Sequence, residues 1–234
     1  MAKSVLITGA SKGIGLATAR RFARGMDDVD CIVMVARASE YFDSALAEVR
    51  ALAGNRQVVS IEVDLADPDA VSAVFDRLET ENIAVSTIVN NAGFTKPASI
   101  NETRMADFER TMQINLYAPF RFVQEALLRS HPLEKVINIA STAGIGGRSG
   151  WMSYSTSKAA VINMSEVMRE ELAPYGIDVV CLSPGRCATD LRKTLAPDED
   201  PSTIMQPEHV ADVIAMMSSP AGKMLMSENL VVRL

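Results

Sequence analysis

The strongest constraint on the fold is an alternation. Short apolar, β-branched runs at 4–8, 31–36, 58–63, 85–90, 136–141, 177–182 and 229–234 alternate with longer amphipathic stretches at 13–25, 39–53, 67–81, 103–130, 153–173 and 207–219. A strand that is apolar at every position, rather than every second one, needs cover on both faces, and a helix between consecutive strands supplies the crossover that parallel pairing requires. The pattern predicts an α/β fold built on a doubly wound parallel sheet. With 234 residues, 48% of them hydrophobic, the chain has the size of a single domain, and no linker, repeat or low-complexity segment divides it. One region, 186–207, is irregular, because Pro197, Pro201, Pro207 and the acidic run Asp198–Glu199–Asp200 interrupt helix formation. It reads either as a functional lid or as a solvated surface loop.

Open parallel sheets bind ligands outside the carboxyl ends of their strands. Four polar or glycine-rich clusters fall on that edge: TGASKGIG (8–15) after the first strand, NNAG (90–93) after the fourth, STAG (141–144) after the fifth and SPG (183–185) after the sixth. A random scatter of turn residues would decorate both edges, so a site on this one is expected. In the first cluster Gly9 ends the strand where the backbone must turn, Gly13 allows close approach of a pyrophosphate, and Gly15 permits close packing of the helix whose N–H groups would face anionic oxygens. The spacing G-x-x-x-G-x-G also suits a plain strand-to-helix turn, and Ile14 after Gly13 rules out the Gly-Lys-Ser/Thr ending of a P-loop.

A second constellation is YSTSK, Tyr154 to Lys158. Residues four apart share a helix face, so the lysine ammonium can favour the phenolate of a tyrosine that otherwise titrates near ~10. The pair reads as proton-transfer machinery or, alone, as an ordinary helix-surface pair. Ser141, at the mouth of the fifth strand, can donate to a carbonyl oxygen.

Composition closes off other classes. A formal charge of −6 with 23 scattered basic residues argues against nucleic acid. No run approaches the ~20 apolar residues of a membrane span, and the N-terminal apolar run is too short for a signal peptide, so a cytoplasmic protein without a membrane partner is expected. Cys31, Cys181 and Cys187 have neither disulfide nor zinc-ligand spacing, so no metal is expected. His131 and His209 lie near no nucleophile elbow, which disfavours a serine hydrolase.

Taken together, TGASKGIG, NNAG, Asn115 in QINLYAP, Ser141, YSTSK and SPGRCAT occur in the order and at the spacings of the single-domain short-chain dehydrogenases/reductases, which the chain resembles from about Val5 to Thr189. The resemblance implies one Rossmann-type NAD(P)-binding oxidoreductase domain over 1–234. It makes Tyr154 the catalytic acid/base and has Lys158 lower its pKa and hold the nicotinamide ribose. Ser141 would orient the substrate oxygen, and Asn115 would position a water in a proton relay. Cofactor contacts are implied for Gly9, Ser11, Lys12, Gly13 and Ile14 in the glycine loop. Others are implied for Asp64 and Leu65 at the adenine, Asn91, Ala92 and Gly93 on the adenosine side, and Pro184, Gly185 and Thr189 near the nicotinamide. Two departures stand out: Cys187 replaces the usual Val or Ile, and the closing GKMLMSENLVVRL lacks the family's Asp-Gly-Gly segment.

At the end of the second strand, where an NAD-preferring site carries Asp or Glu, the chain has Ala36 followed by Arg37. Arg37 offers a planar fork to a 2′-phosphate and Lys12 a second cation, so NADP is expected in preference to NAD. The leading expectation is an NADP-dependent enzyme reducing a small-molecule carbonyl to a secondary alcohol, or the reverse. Its substrate could be a 3-oxoacyl thioester, a simple ketone or a phosphorylated sugar. The alternative is a catalytically silent NADP-binding sensor or scaffold. Arg148, Arg186, Arg192 and Lys193 hint at an anionic substrate, unless Asp198–Asp200 neutralise them. A homodimer or homotetramer is expected through helices 103–130 and 153–173, with Leu116, Phe120, Val123 and Leu127 as candidate contacts.

Overall fold

A computed structural model describes residues 3–25, 29–219, 222–223 and 229–234. Among them one sheet has seven strands: β1 (Ser4–Thr8), β2 (Cys31–Ala36), β3 (Gln57–Glu62), β4 (Thr87–Asn90), β5 (Lys135–Ile139), β6 (Asp178–Pro184) and β7 (Leu230–Val232). Their spatial order is β3-β2-β1-β4-β5-β6-β7, and every pair is parallel. The winding direction reverses between β1 and β4, so their carboxyl ends diverge into a crevice there.

Alternate strand residues feed two cores. Leu6, Val33, Ile88, Val136 and Val179 face one layer, made by α3 (Ala70–Thr80), α5 (Ala118–Leu128) and α7 (Met152–Leu172). Val5, Ile7, Met34, Val89, Ile137 and Leu182 face the other, made by α1 (Gly13–Ala23), α2 (Glu40–Leu52) and α9 (Pro207–Ser218). This is the doubly wound arrangement that the apolar strands require. Beneath the crevice a buried polar chain pins α7 to the sheet: Asn90 Nδ2 donates to Asn138 Oδ1 at 2.9 Å, and Asn138 Nδ2 to Ser165 Oγ at 2.9 Å. Buried amide hydrogen bonds of this kind favour one register, which matters because α7 carries Tyr154 and Lys158.

Three expectations change. The continuous helix over 103–130 is instead α4 (Met105–Met112), a π turn (Gln113–Tyr117) and α5. Pro119 is the cause: it has no N–H to give the carbonyl of Asn115, so the α-helical ladder fails there and the backbone widens by one residue. The stretch 186–207 carries a short helix, α8 (Asp190–Leu195), where none was expected, and α6 (Thr142–Ile145) follows β5. Cys187 bridges Met205, and the Ala188 N–H donates to Met205 O at 2.8 Å. The two ends of the stretch are thereby stitched together. Finally, β7 is shorter than the expected 229–234, and of the atypical closing segment, Met224–Glu228 lies outside the described residues.

Candidate active site

The four clusters meet in one cleft of about 620 Å³ across the carboxyl ends of the strands. Gly9 (φ +67°) and Gly13 (φ +54°) occupy the left-handed region, which side chains other than glycine's rarely adopt. Gly15 allows the close helix packing expected of it: a Cβ there would lie 2.3 Å from the Gly9 carbonyl oxygen and 2.5 Å from Asn91 Nδ2. The close packing is therefore against the loop itself. Thr8 completes the stitch, its hydroxyl accepting from Asn91 N at 3.0 Å and Ala92 N at 2.9 Å, while Asn91 Nδ2 donates to Thr8 O at 2.9 Å. The ends of β1 and β4 are thus locked with Ser11, Gly13, Ile14, Ala92 and Gly93 along the cleft wall. The N-terminus of α1 has no side-chain cap and no acid in its first turn. Its open N–H groups suit an anion such as a pyrophosphate.

Arg37, Asp64 and Leu65 line the end of the cleft beyond β2 and β3. Arg37 is exposed, and among the described residues no carboxylate pairs with it. Lys12 is engaged: its Nζ lies 3.4 Å from the centre of the Tyr41 ring and 3.0 Å from Asp190 Oδ2. A 2′-phosphate would share Lys12 with Asp190. Asp64 receives the Ala66 N–H at 3.0 Å and Arg110 at 3.1 Å, which orients its carboxylate at the floor.

At the other end Ser141 leaves β5 and caps α6, its Oγ accepting from Ala143 N at 3.1 Å. Gly144 lets this turn press on α7, since a Cβ there would sit 2.5 Å from the carbonyl carbon of Lys158. Tyr154 is 7% exposed and Lys158 4%. Burial pushes the Tyr154 phenol up, opposed by the Ser141 hydroxyl and the positive charge of Arg192. Burial also brings the Lys158 ammonium down to about 8. Lys158 Nζ donates to the Ile139 carbonyl at 2.6 Å and lies 6.0 Å from the Tyr154 ring centre.

Asn115 is 1% exposed and stands behind the cleft wall. Its Oδ1 accepts from Phe94 N at 2.8 Å, and its Nδ2 donates to Phe94 O at 3.0 Å and to Ser157 Oγ at 2.9 Å. Ser157 in turn donates to the Tyr154 carbonyl at 2.8 Å. The side chain thus braces the segment after β4 against α7.

Pro184, Gly185, Cys187 and Thr189 form the roof. Thr189 caps α8, its Oγ1 accepting from Arg192 N at 3.1 Å, and Thr189 Cγ2 would lie 3.1 Å from a Cβ on Gly13. With the Lys12–Asp190 pair, the stretch after β6 closes onto the glycine loop. Trp151 and Tyr41 were not singled out from the sequence. An aromatic three residues beyond the Gly-Gly-Arg of 146–148 was the available signal for Trp151. The contact of Tyr41 with Lys12 depends on how α2 docks.

Among the described residues, no cluster of His, Cys, Asp or Glu could hold a metal ion, and no helix is long and apolar enough to cross a membrane. The family model of short chain dehydrogenases matches residues 3–200. A 3-oxoacyl-[acyl-carrier-protein] reductase of Synechocystis sp. is 30% identical, with 93% of this chain and 90% of that relative covered. A cis-4-hydroxycyclohexanecarboxylate dehydrogenase of Sinomonas cyclohexanicum is also 30% identical, covering 97% and 93%. The solved short chain dehydrogenase of Burkholderia cenocepacia J2315 in complex with NADP superposes with a TM-score of 0.84 at 27% identity, covering 98% and 96%. The chain belongs to the short-chain dehydrogenases, oxidoreductases that interconvert CH–OH and carbonyl groups.

Proposed function

We propose that the chain is an NADP-dependent carbonyl reductase or secondary-alcohol dehydrogenase formed by one NAD(P)-binding domain over 1–234. The observation that carries this reading is the meeting of Tyr154, Ser141 and Lys158 at one end of a cleft whose other end has an uncapped helix N-terminus and the exposed Arg37. A bound nicotinamide supplies the hydride, and the protein supplies position and a proton. Ser141 donates to the carbonyl oxygen. Tyr154, kept protonated at neutral pH by burial, gives its phenolic proton to the same oxygen as charge builds there. Lys158, 6.0 Å from the Tyr154 ring centre, holds a positive charge near the phenol.

The protonation states set a direction with pH. Reduction needs the phenol protonated and Lys158 charged. The phenol is raised, whereas the ammonium titrates at about 8. kcat/KM for reduction should hold steady from pH 6 to 7.5 and fall as pH rises through about 8. A rate that climbs between pH 7 and 9 would contradict these assignments.

Cofactor choice rests on Ala36 and Arg37. Ala36→Asp places a carboxylate where a 2′-phosphate must sit and gives the ribose hydroxyls of NAD an acceptor. A charge-assisted contact contributes about 1.5–3 kcal/mol, so the ratio of kcat/KM values should swing toward NAD by at least about tenfold. A wild type that already prefers NAD, or an unmoved ratio, would show Arg37 to be a surface cation only. The NADP complex of the Burkholderia relative supports the wild-type preference.

Assembly as a homodimer or homotetramer belongs to the same reading. Of the four apolar candidates, Val123 and Leu116 pack inward. Phe120 (45% exposed) and Leu127 (41%) point outward beside the exposed Tyr117 and Leu128. A face with four large apolar residues at helical spacing suits a partner helix. Sedimentation should give a multiple of the 25.3 kDa chain, and Phe120→Glu with Leu127→Glu should reduce it to one chain. A wild type sedimenting as a single chain would refute the interface.

A further inference from the structure

Beyond Tyr154 the cleft continues into residues that hydride and proton transfer do not require. Trp151 stands edge-on to Tyr154, ring centres 6.3 Å apart, and two guanidinium groups lie over its indole: Arg148 at 5.3 Å and Arg192 at 5.7 Å from the centre. All of these line the cleft. The two arginines differ in what answers their charge. Glu199 takes Arg192 through Nε at 2.5 Å and Nη2 at 2.7 Å, and also takes Arg186 at 3.3 Å. That contact holds the Glu199 carboxyl below its ordinary range. Asp200 is spent on capping the turn at Ser202. One carboxylate therefore serves two arginines, and among the described residues none pairs with Arg148.

Arg148 is nevertheless held in place. A turn closed by the Trp151 N–H donating to the Arg148 carbonyl at 3.1 Å brings the guanidinium over the indole. Stacking on an aromatic face fixes the plane of the fork and leaves its N–H edges open, the arrangement that binds a carboxylate or phosphate in two-point fashion. We infer that Arg148 over Trp151 is an anion subsite, and that the substrate bears a carboxylate or phosphate a few bonds from the carbonyl addressed by Ser141 and Tyr154. This rests on the oxidoreductase reading for the carbonyl, while the subsite itself is readable without turnover.

Trp151 is the single tryptophan of the chain, so intrinsic fluorescence reports on the subsite directly. Two matched pairs would be titrated with and without NADP⁺: acetoacetate against methyl acetoacetate for a carboxylate, and dihydroxyacetone phosphate against dihydroxyacetone for a phosphate. In one pair the charged member should bind at least about tenfold more tightly than its neutral partner, as expected of one charge-assisted contact. Arg148→Gln should erase that gap and Arg148→Lys restore part of it, with unchanged far-UV circular dichroism. Equal affinities within both pairs, or a gap that survives Arg148→Gln, would overturn the subsite. NADPH consumption with the same four compounds separates the two readings. Turnover without an affinity gap refutes the subsite alone, and a gap without turnover of any compound upholds the subsite and refutes the proposed carbonyl reduction of these compounds.

Discussion

Tyr154→Phe should lose at least about a thousandfold in kcat for carbonyl reduction while binding NADPH within about twofold of wild type, because the substitution removes one proton donor and little volume. The phenol is enclosed by Trp151, Ser141 and the Lys158 side of α7, so no bulk water stands ready to replace its proton. Fold stability should fall only modestly, since the hydroxyl gives up a bond with the Ser141 hydroxyl, worth about 0.5–1.5 kcal/mol. Single-turnover kinetics and NADPH fluorescence on one preparation give both numbers. A mutant retaining a tenth of the activity would take Tyr154 out of the chemistry.

Asn115→Leu should be damaging through position rather than chemistry. The carboxamide makes three buried hydrogen bonds, two to Phe94 and one to Ser157, and an apolar replacement leaves those partners unpaired at about 1–3 kcal/mol each before relaxation. A loss of about 2–4 kcal/mol in unfolding free energy is expected. Because Ser157 binds the Tyr154 carbonyl, kcat should fall further than KM rises, and the alkaline limb of the pH profile should shift as the phenol loses its fixed surroundings. A variant that keeps its urea midpoint and its pH profile would show that the brace is not needed.

The fold was legible because its strands are covered on both faces. The continuous apolar runs of β1, β2 and β6 admit no other reading, and their carboxyl ends then dictate where ligands go. The residues of the cleft were legible for the same reason: the glycine loop, Asn91 to Gly93, Ser141, Tyr154, Lys158, Pro184, Gly185 and Thr189 all lie on it. Periodicity shows that a helix has two faces without showing which one a sheet covers. That is why Val123 and Phe120, three residues apart on one apolar pattern, part company between core and surface. The break at Asn115 had a local signal in Pro119. The partners of Lys12 had none, because Tyr41 and Asp190 reach it from α2 and α8 only after the sheet has assembled. The same holds for the charge on Arg148, whose lack of a counter-ion depends on Glu199 choosing Arg192 and Arg186 instead.

The central claim is that this cleft transfers hydride to a carbonyl with Tyr154 as proton donor. It is tested most directly by incubating the protein with NADPH deuterated at the nicotinamide C4, in separate preparations labelled on either face, and the four carbonyl compounds named above, then reading the products by mass spectrometry. The account predicts an alcohol carrying one deuterium on its carbinol carbon from one of the two labelled forms, at a rate abolished in Tyr154→Phe. NADPH bound stoichiometrically with no deuterium in any product, or label transfer undiminished in Tyr154→Phe, would contradict it.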